Sequence, residues 1–333
     1  MTYNSSMPAV GPRELKHLTP PGEALPYVFT ARDAQCLELL AAFRYLTARQ
    51  LHQCLGGSER NLGRRLYLMW RDGLVERPAQ QAILVASHFH FGDTARVYGL
   101  TRKGARVLAE RGVPLAHKLD WTFRPGTTRN LLHTLDVATT MISFRRGAAR
   151  LDATRFVDHA DLVPHFPEAT RSLRRPFTVS VNLVLAGQQV RMTNVPDRLF
   201  SLHLSDGTRF NWALEQDRGT ETMSPERLSG KSTIRRKQTV FFEAFKQNRY
   251  RELWGFERLR VLFVTTGSDR RIEGMIRSQL EVTNGRAAGM FLYSTTDRIA
   301  ELGALGPAWT SSEATGLSLL PSPLVSSSTM EVA

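Results

Sequence analysis

Between Thr30 and Pro114 the chain is punctuated so closely by helix starts and stops that few arrangements fit it. Thr30 with Asp33 makes a capping-box-like start, and Cys36, Leu37, Leu40 and Phe43 follow at helical spacing. Thr47 with Gln50 opens a second helix carrying Leu51 and Leu55, which Gly56-Gly57 stops. Ser58 caps a third helix, in which Leu62, Leu66, Met69 and Trp70 form the apolar stripe, and Gly73 stands just past its end. Strand-like runs follow at residues 74–77, 83–91 and 96–100, with a turn at Gly92-Asp93. Thr101 then caps a last helix that ends at Gly112-Val113-Pro114. Three helices, a β wing and a closing helix predict a winged helix-turn-helix over residues 30–116.

The flanks read differently. Residues 1–29 carry Pro8, Pro12, Pro20, Pro21 and Pro26 without apolar periodicity, which predicts a flexible arm. Residues 310–333, rich in serine with Pro321 and Pro323, predict a disordered tail. Between them, residues 128–309 predict a helix over 128–146 and an irregular stretch to 175. Strands are predicted at 177–185, 189–192, 198–204 and 208–216. Ser224-Pro225-Glu226 opens a long helix to about residue 248. The run Val261-Leu262-Phe263-Val264-Thr265 is apolar on both faces, as in a buried parallel strand. A helix over 269–280 and a strand over 290–293 complete a βαβ unit, so this part is α/β with a mixed sheet and the whole chain α+β.

Composition bounds the function. The 333 residues suffice for two domains, and 42% hydrophobic with 23% charged residues excludes a mostly disordered chain. Lysine and arginine total 44 against 31 acidic residues, a net charge of +13 that favours a polyanionic partner, nucleic acid before an anionic membrane surface. No apolar run has the length of a membrane span, and Met1-Thr-Tyr-Asn-Ser-Ser lacks the basic and apolar regions of a leader. Cys36 and Cys54 have no metal-ligand partners at useful spacing and read as free thiols, so a cytoplasmic protein is expected.

Two groups of residues carry chemistry. In the third helix Arg60, Arg64 and Arg71, with Arg65 beside them, lie opposite the leucine stripe, where guanidiniums can meet phosphates or guanine edges of double-stranded DNA. Solvated surface arginines are the plainer reading. The second group is acidic: Asp197 begins one predicted strand, while Glu215 and Asp217 end another. Residues two apart on a strand share a face, so Glu215 and Asp217 point one way and Phe210, Trp212 and Leu214 the other. Three carboxylates so placed are costly unless a cation joins them, and Mg²⁺ or Mn²⁺ suits oxygen ligands. Lys231 follows on the next predicted helix, where an ammonium offsets charge on a metal-bound phosphate. The alternative is simple pairing of the acids with Arg198 and Arg218.

The order Pro196-Asp197, Glu215-x-Asp217 and then a lysine resembles the PD-(D/E)XK nuclease site, with Asp217 where that motif has lysine and Lys231 as the displaced ammonium. The longer series is more specific. Tyr98-Gly-Leu-Thr-Arg-Lys-Gly104, Leu132-His133-Thr134-Leu135, Pro196-Asp197, Glu215-Gln-Asp-Arg-Gly-Thr-Glu221, Lys231 and Leu305-Gly-Pro-Ala-Trp309 together resemble the replication-relaxation family of mobile elements, which includes MobC-type conjugative relaxases. The resemblance implies a winged DNA-binding domain joined to a restriction-endonuclease-like domain. Such a protein nicks supercoiled plasmid DNA at an origin of transfer or replication, with Asp197, Glu215 and Asp217 as metal ligands and catalytic residues together with Lys231. Relaxosome or replication proteins are the implied protein partners.

Other signals rank lower. His88-Phe89-His90 matches a His-hydrophobe-His relaxase strand but lies in the wing, without a third histidine or paired tyrosines. His133 reads as a core residue, and Arg174-Arg175, Arg235-Arg236-Lys237 and Arg270-Arg271 read as solvated faces that collectively could line a DNA channel. No phosphate-cradling Gly-x-x-x-x-Gly-Lys-Ser/Thr loop supports an ATPase. A non-catalytic winged-helix regulator and an accessory relaxosome docking module stay open beside the nicking enzyme.

Overall fold

The computed structural model describes residues 27–81, 96–113, 115, 128–152, 154–185, 187–219 and 233–321. The chain is mixed α/β and divides into two compact units, Met1–Ile142 and Ser143–Ala333. Among the described residues no helix is long and apolar enough to cross a membrane.

The first unit runs α1 (Ala31–Phe43), β1 (Tyr45–Thr47), α2 (Ala48–Leu55), α3 (Glu59–Arg71), β2 (Val75–Glu76), β3 (Val97–Leu100) and α4 (Arg102–Glu110). The caps read from sequence are in place. Thr30 and Asp33 close a reciprocal capping box on α1, Thr47 and Gln50 do so on α2, and Ser58 and Thr101 cap α3 and α4. Cys36, Leu37, Leu40, Leu51, Leu62, Leu66, Met69 and Leu108 are buried together as the periodicity requires. Strand β1, too short to show alternation, was not legible; it pairs antiparallel with β3, which also pairs with β2. The predicted strand at 83–91, the turn at 92–93, and His88 and His90 lie outside the described residues.

The Tyr98–Gly104 string is packing chemistry. Gly99 lies under the Tyr45 ring, where a Cβ would come within 2.7 Å of it. Thr101 Oγ1 donates to the carbonyl of Leu74 at 3.0 Å, and a Cβ on Gly104 would stand 2.2 Å from the same oxygen. Glycine is therefore required where α4 meets the start of β2. Lys103 Nζ reaches the Asp72 carboxylate at 2.9 Å.

Helix α5 (Thr128–Ala148) begins in the first unit and ends in the second. The second unit then has β4 (Thr154–Val157), α6 (His159–Leu162), α7 (Glu168–Arg171), β5 (Val179–Leu185), β6 (Gln188–Asn194), β7 (Arg198–Leu204) and β8 (Arg209–Asp217). It continues with α8 (Ile234–Lys246), α9 (Arg249–Trp254), β9 (Arg260–Thr265), α10 (Asp269–Thr283), β10 (Phe291–Thr295) and α11 (Thr296–Leu302). Its five-stranded sheet has the order β10-β9-β8-β7-β4; β8, β9 and β10 are parallel, while β7 and β4 run antiparallel to their neighbours. Strands β5 and β6 form a separate antiparallel pair.

Period two sorts the two faces of this sheet. Phe200 and Trp212 face Phe144 of α5, with Trp309 6.2 Å from the Phe144 ring. Leu199, Ala213, Val261 and Phe263 belong to the opposite core, with Val240 and Phe241 of α8 and Ile272 and Met275 of α10. That parity is also the parity of 197, 215 and 217. It sends their side chains toward α8 and α10.

Three expectations are corrected. The stretch before 175 is not wholly irregular, because it contains β4, an edge strand of the main sheet. The helix predicted from Ser224 has its described start at Ile234, capped by Thr233, whose hydroxyl accepts from Arg236 N at 3.1 Å; residues 220–232 lie outside the described residues. Residues 310–321 are not a tail. Thr310 and Tyr293 exchange backbone hydrogen bonds at 2.8 and 2.9 Å, and Leu319 and Leu320 are buried. Serine-rich composition concealed that closing leucine pair.

Candidate active site

Strands β7 and β8 pair with Arg198 opposite Leu214, so Asp197, one residue before β7, stands beside the end of β8. An Oδ of Asp197 accepts from the backbone N–H of Gln216 at 2.8 Å. Glu215 is 1% exposed. One of its oxygens accepts from Asn194 Nδ2 at 2.6 Å and the other lies 3.0 Å from Lys237 Nζ. Burial pushes the Glu215 carboxyl up, to about 7, with Lys237 pulling against it and Asp197 adding to it. Asp197 and Glu215 are thus neighbours on one face, as the sequence pattern requires.

Asp217 shares that face but not that company. Arg271 of α10 grips it through two hydrogen bonds, at 2.9 and 3.0 Å. Thr265 Oγ1 donates to it at 2.8 Å and Gly219 N at 3.0 Å. Gly219 has φ +70°, the left-handed turn that its place in the Glu-x-Asp-Arg-Gly string demands. Asp217 is therefore bonded to Arg271 and Thr265, whereas Glu215 is bonded to Asn194 and Lys237. Among the described residues no three or more His, Cys, Asp or Glu side chains are grouped as a metal site. The reason is electrostatic: two buried carboxylates on one strand are separated by a cation for each, from two different helices. Arg198 lies near enough to Asp197 for the two charges to interact.

Lys231 lies outside the described residues. Lys237 is the lysine that reaches Glu215, and it was missed because it sits in an Arg235-Arg236-Lys237 run that reads as solvated. It is 7% exposed. The available signal was its place three and four residues before the apolar Val240 and Phe241 on α8, which puts it on the buried face. Arg235 of the same run pairs with Glu281, and Arg271 of Arg270-Arg271 holds Asp217.

His159 stands beside this acidic end. Its Nδ1 accepts from Leu199 N at 2.9 Å, and its ring stacks on Phe177 at 3.6 Å. Burial, with Arg198 beside it, holds its pKa down at about 3. The unfolded imidazole takes up a proton below its ordinary 6.5 and the folded ring does not. Its contribution to stability is therefore full above pH 6.5 and lost as pH falls, at up to about 1.4 kcal/mol per pH unit. Glu215 acts in the opposite sense between 4.5 and about 7. The difference between wild type and His159→Gln in urea midpoints from pH 7.5 to 4.5 isolates the histidine. Wild type should lose stability relative to the variant on acidification, and parallel curves would contradict a neutral imidazole at His159.

In the first unit the arginines of α3 separate into two sets. Arg60 and Arg64 are exposed. Arg71 is half-buried, with Nη1 3.4 Å from Tyr67 Oη. Arg65 turns inward to Asp33, its Nε donating at 2.9 Å to a carboxylate that is 0% exposed. Arg65, expected beside the others on the DNA face, instead supplies the counter-charge of the capping aspartate of α1. Arg65→Ala should therefore cost about 1–3 kcal/mol of stability by leaving the buried Asp33 carboxylate without its cation, held by Thr30 alone. Arg60→Ala should leave chemical denaturation unchanged.

The family model described as replication-relaxation matches residues 37–260, a span from within α1 to the first residue of β9. The chain belongs to the replication-relaxation family. A search of the curated proteins and of the solved structures finds no match. In this replication-relaxation protein the matched span contains both arginine sets, Asp197, Glu215, Asp217 and Lys237, and it stops before Arg271 and the Leu305–Trp309 string. That string closes the second unit: Trp309 is buried, and its Nε1 donates to Ala304 O at 2.8 Å.

Proposed function

We propose that this protein binds double-stranded DNA through its first unit and nicks it in a Mg²⁺-dependent reaction in its second, at an origin of plasmid or mobile-element replication or transfer. The observation that carries the reading is the convergence of Asp197, Glu215 and Lys237 on one sheet face, at the end of an antiparallel pair. The element order α5-β4-β7-β8-α8-β9, with β8 and β9 parallel, supports a restriction-endonuclease-like core. Family membership supports the setting, and a MobC-type relaxase with relaxosome or replication partners follows from it. In the first unit the order helix, strand, helix, helix, strand, strand, helix supports a winged helix whose third helix presents Arg60 and Arg64.

Asp197 and Glu215 are the residues that would hold Mg²⁺ (or Mn²⁺), which is commonly bound by one or two carboxylates and keeps several waters. Such an ion, when bound, activates water and stabilises charge on a phosphate. Asn194 orients one Glu215 oxygen, and Lys237 supplies the ammonium assigned from sequence to Lys231, offsetting negative charge as the phosphate becomes pentacovalent. Asp217, held by Arg271 and Thr265, acts as a positioning residue that ties β8 to α10 and fixes the turn at Gly219.

A second reading rests on those same ion pairs: Glu215–Lys237 and Asp217–Arg271 describe a nuclease-like fold turned into a non-catalytic DNA-binding regulator. Conversion of a supercoiled origin plasmid to the open-circular form separates the two. Wild type with Mg²⁺ should convert it and Asp197→Asn should not; conversion that chelation of divalent ions leaves intact would remove the proposal. For the DNA reader, Arg60→Ala/Arg64→Ala should weaken duplex binding at low salt and reduce the salt slope by about 2. An unchanged slope would show that α3 is not the element in contact with phosphate.

A further inference from the structure

The far end of the β7–β8 pair holds a second site. Six residues along β7 from Asp197, or about 20 Å of strand, comes His203. There a cavity of about 400 Å³, within the range of small-ligand sites, opens among His165, His203, Arg209, Asn211, Phe256 and Arg258. Its walls are built from separate elements: the turn after α6, the β7–β8 hairpin, and the loop between α9 and β9. The loop is pinned, because Asn211 Nδ2 donates to Arg258 O at 3.1 Å while Ser201 Oγ donates to Asn211 Oδ1 at 2.6 Å. The hairpin turns at Gly207, φ +86°, with Asp206 accepting from Thr208 N at 2.8 Å.

The charges of the cavity are lopsided. His165, Arg209 and Arg258 are exposed and His203 is half-buried, whereas Glu257 is the acid among the lining residues. Arg155, across the strand pair from His203, adds to the positive side. Burial first, then Arg209, His165 and Arg155, lower the His203 pKa, the response of an imidazole placed among cations. Among the described residues, the guanidiniums elsewhere in this unit that are paired with carboxylates, Arg145, Arg235, Arg249, Arg271 and Arg298, lie outside the cavity. Phe256, half-buried at the wall, adds an aromatic surface of the kind on which a base stacks.

We propose that this cavity binds a phosphoryl group carried on a nucleotide, with Arg209 and Arg258 clamping the phosphate and His203 donating to it. The site goes beyond the nicking reaction and stands apart from Asp197 and Glu215. Calorimetric titration of the full chain in chloride buffer, with inorganic phosphate and with deoxyadenosine 5′-monophosphate, tests it. Wild type should take up each probe at one saturable site, the nucleotide more tightly. Arg209→Gln/Arg258→Gln should bind at least tenfold more weakly at an unchanged thermal midpoint. The C2 proton of His203 should report a raised pKa when the nucleotide is bound, since an anion favours the imidazolium. Glu215→Gln should bind both probes like wild type, so loss of the nicking reading would leave the cavity intact. Displacement of the nucleotide by a short single-stranded oligonucleotide would assign the phosphoryl group to DNA, and its failure to displace would assign it to a free nucleotide; both support the site. Absence of saturable uptake of either probe by wild type, or equal affinity in the double variant, would overturn it.

Discussion

Lys237→Met is expected to destabilise the second unit by about 3–5 kcal/mol above pH 8, because it leaves the Glu215 carboxylate buried without its cation. The loss should shrink as pH falls. Burial already raises the Glu215 pKa, Lys237 is the group restraining it, and without that restraint the carboxyl takes up a proton and the penalty of a bare charge disappears. Glu215→Gln in the Lys237→Met background should recover most of the loss at pH 8, since a neutral amide keeps the Asn194 contact and removes the orphaned charge. Guanidinium denaturation of the four proteins at pH 6 and pH 8.5 measures the coupling. A Lys237→Met loss that is equal at both pH values and indifferent to residue 215 would show that the lysine contributes only packing.

That pair also marks where sequence reasoning stops. The caps at Thr30, Thr47, Ser58 and Thr101 were legible because capping depends on residues three apart in the chain. So was the common face of Glu215 and Asp217, which follows from the strand's period of two. What decides between an ion site and ion pairs is which cation arrives from another element, and that depends on tertiary contact. Lys237 is 22 residues beyond Glu215 and Arg271 is 54 beyond Asp217. Neither separation is a local spacing. Arg65 shows the same limit, since its distance from the leucine stripe suggested an outward face while the buried Asp33 drew it inward. Strands β1 and β4, of three and four residues, are too short to display a period, and Leu319-Leu320 was hidden by the serines around it.

Glu215→Gln should abolish nicking while leaving DNA binding in place. The substitution keeps the side chain's shape and its contact with Asn194 but leaves the buried Lys237 ammonium without its counter-charge, so the variant's thermal midpoint is measured beside its activity. An oxygen that no longer carries charge holds a hard divalent ion poorly, and the ammonium of Lys237 loses the partner that aims it. The rate should fall on the order of a thousandfold, with duplex affinity unchanged or tighter because a negative charge near DNA is gone. The most direct measurement is conversion of supercoiled origin plasmid to open circles by wild type and Glu215→Gln, at matched DNA occupancy, in Mg²⁺. Conversion by wild type with none by Glu215→Gln is the expected result. Equal conversion by both, or none by wild type with Mg²⁺ or Mn²⁺, would contradict a nuclease site at Asp197, Glu215 and Lys237.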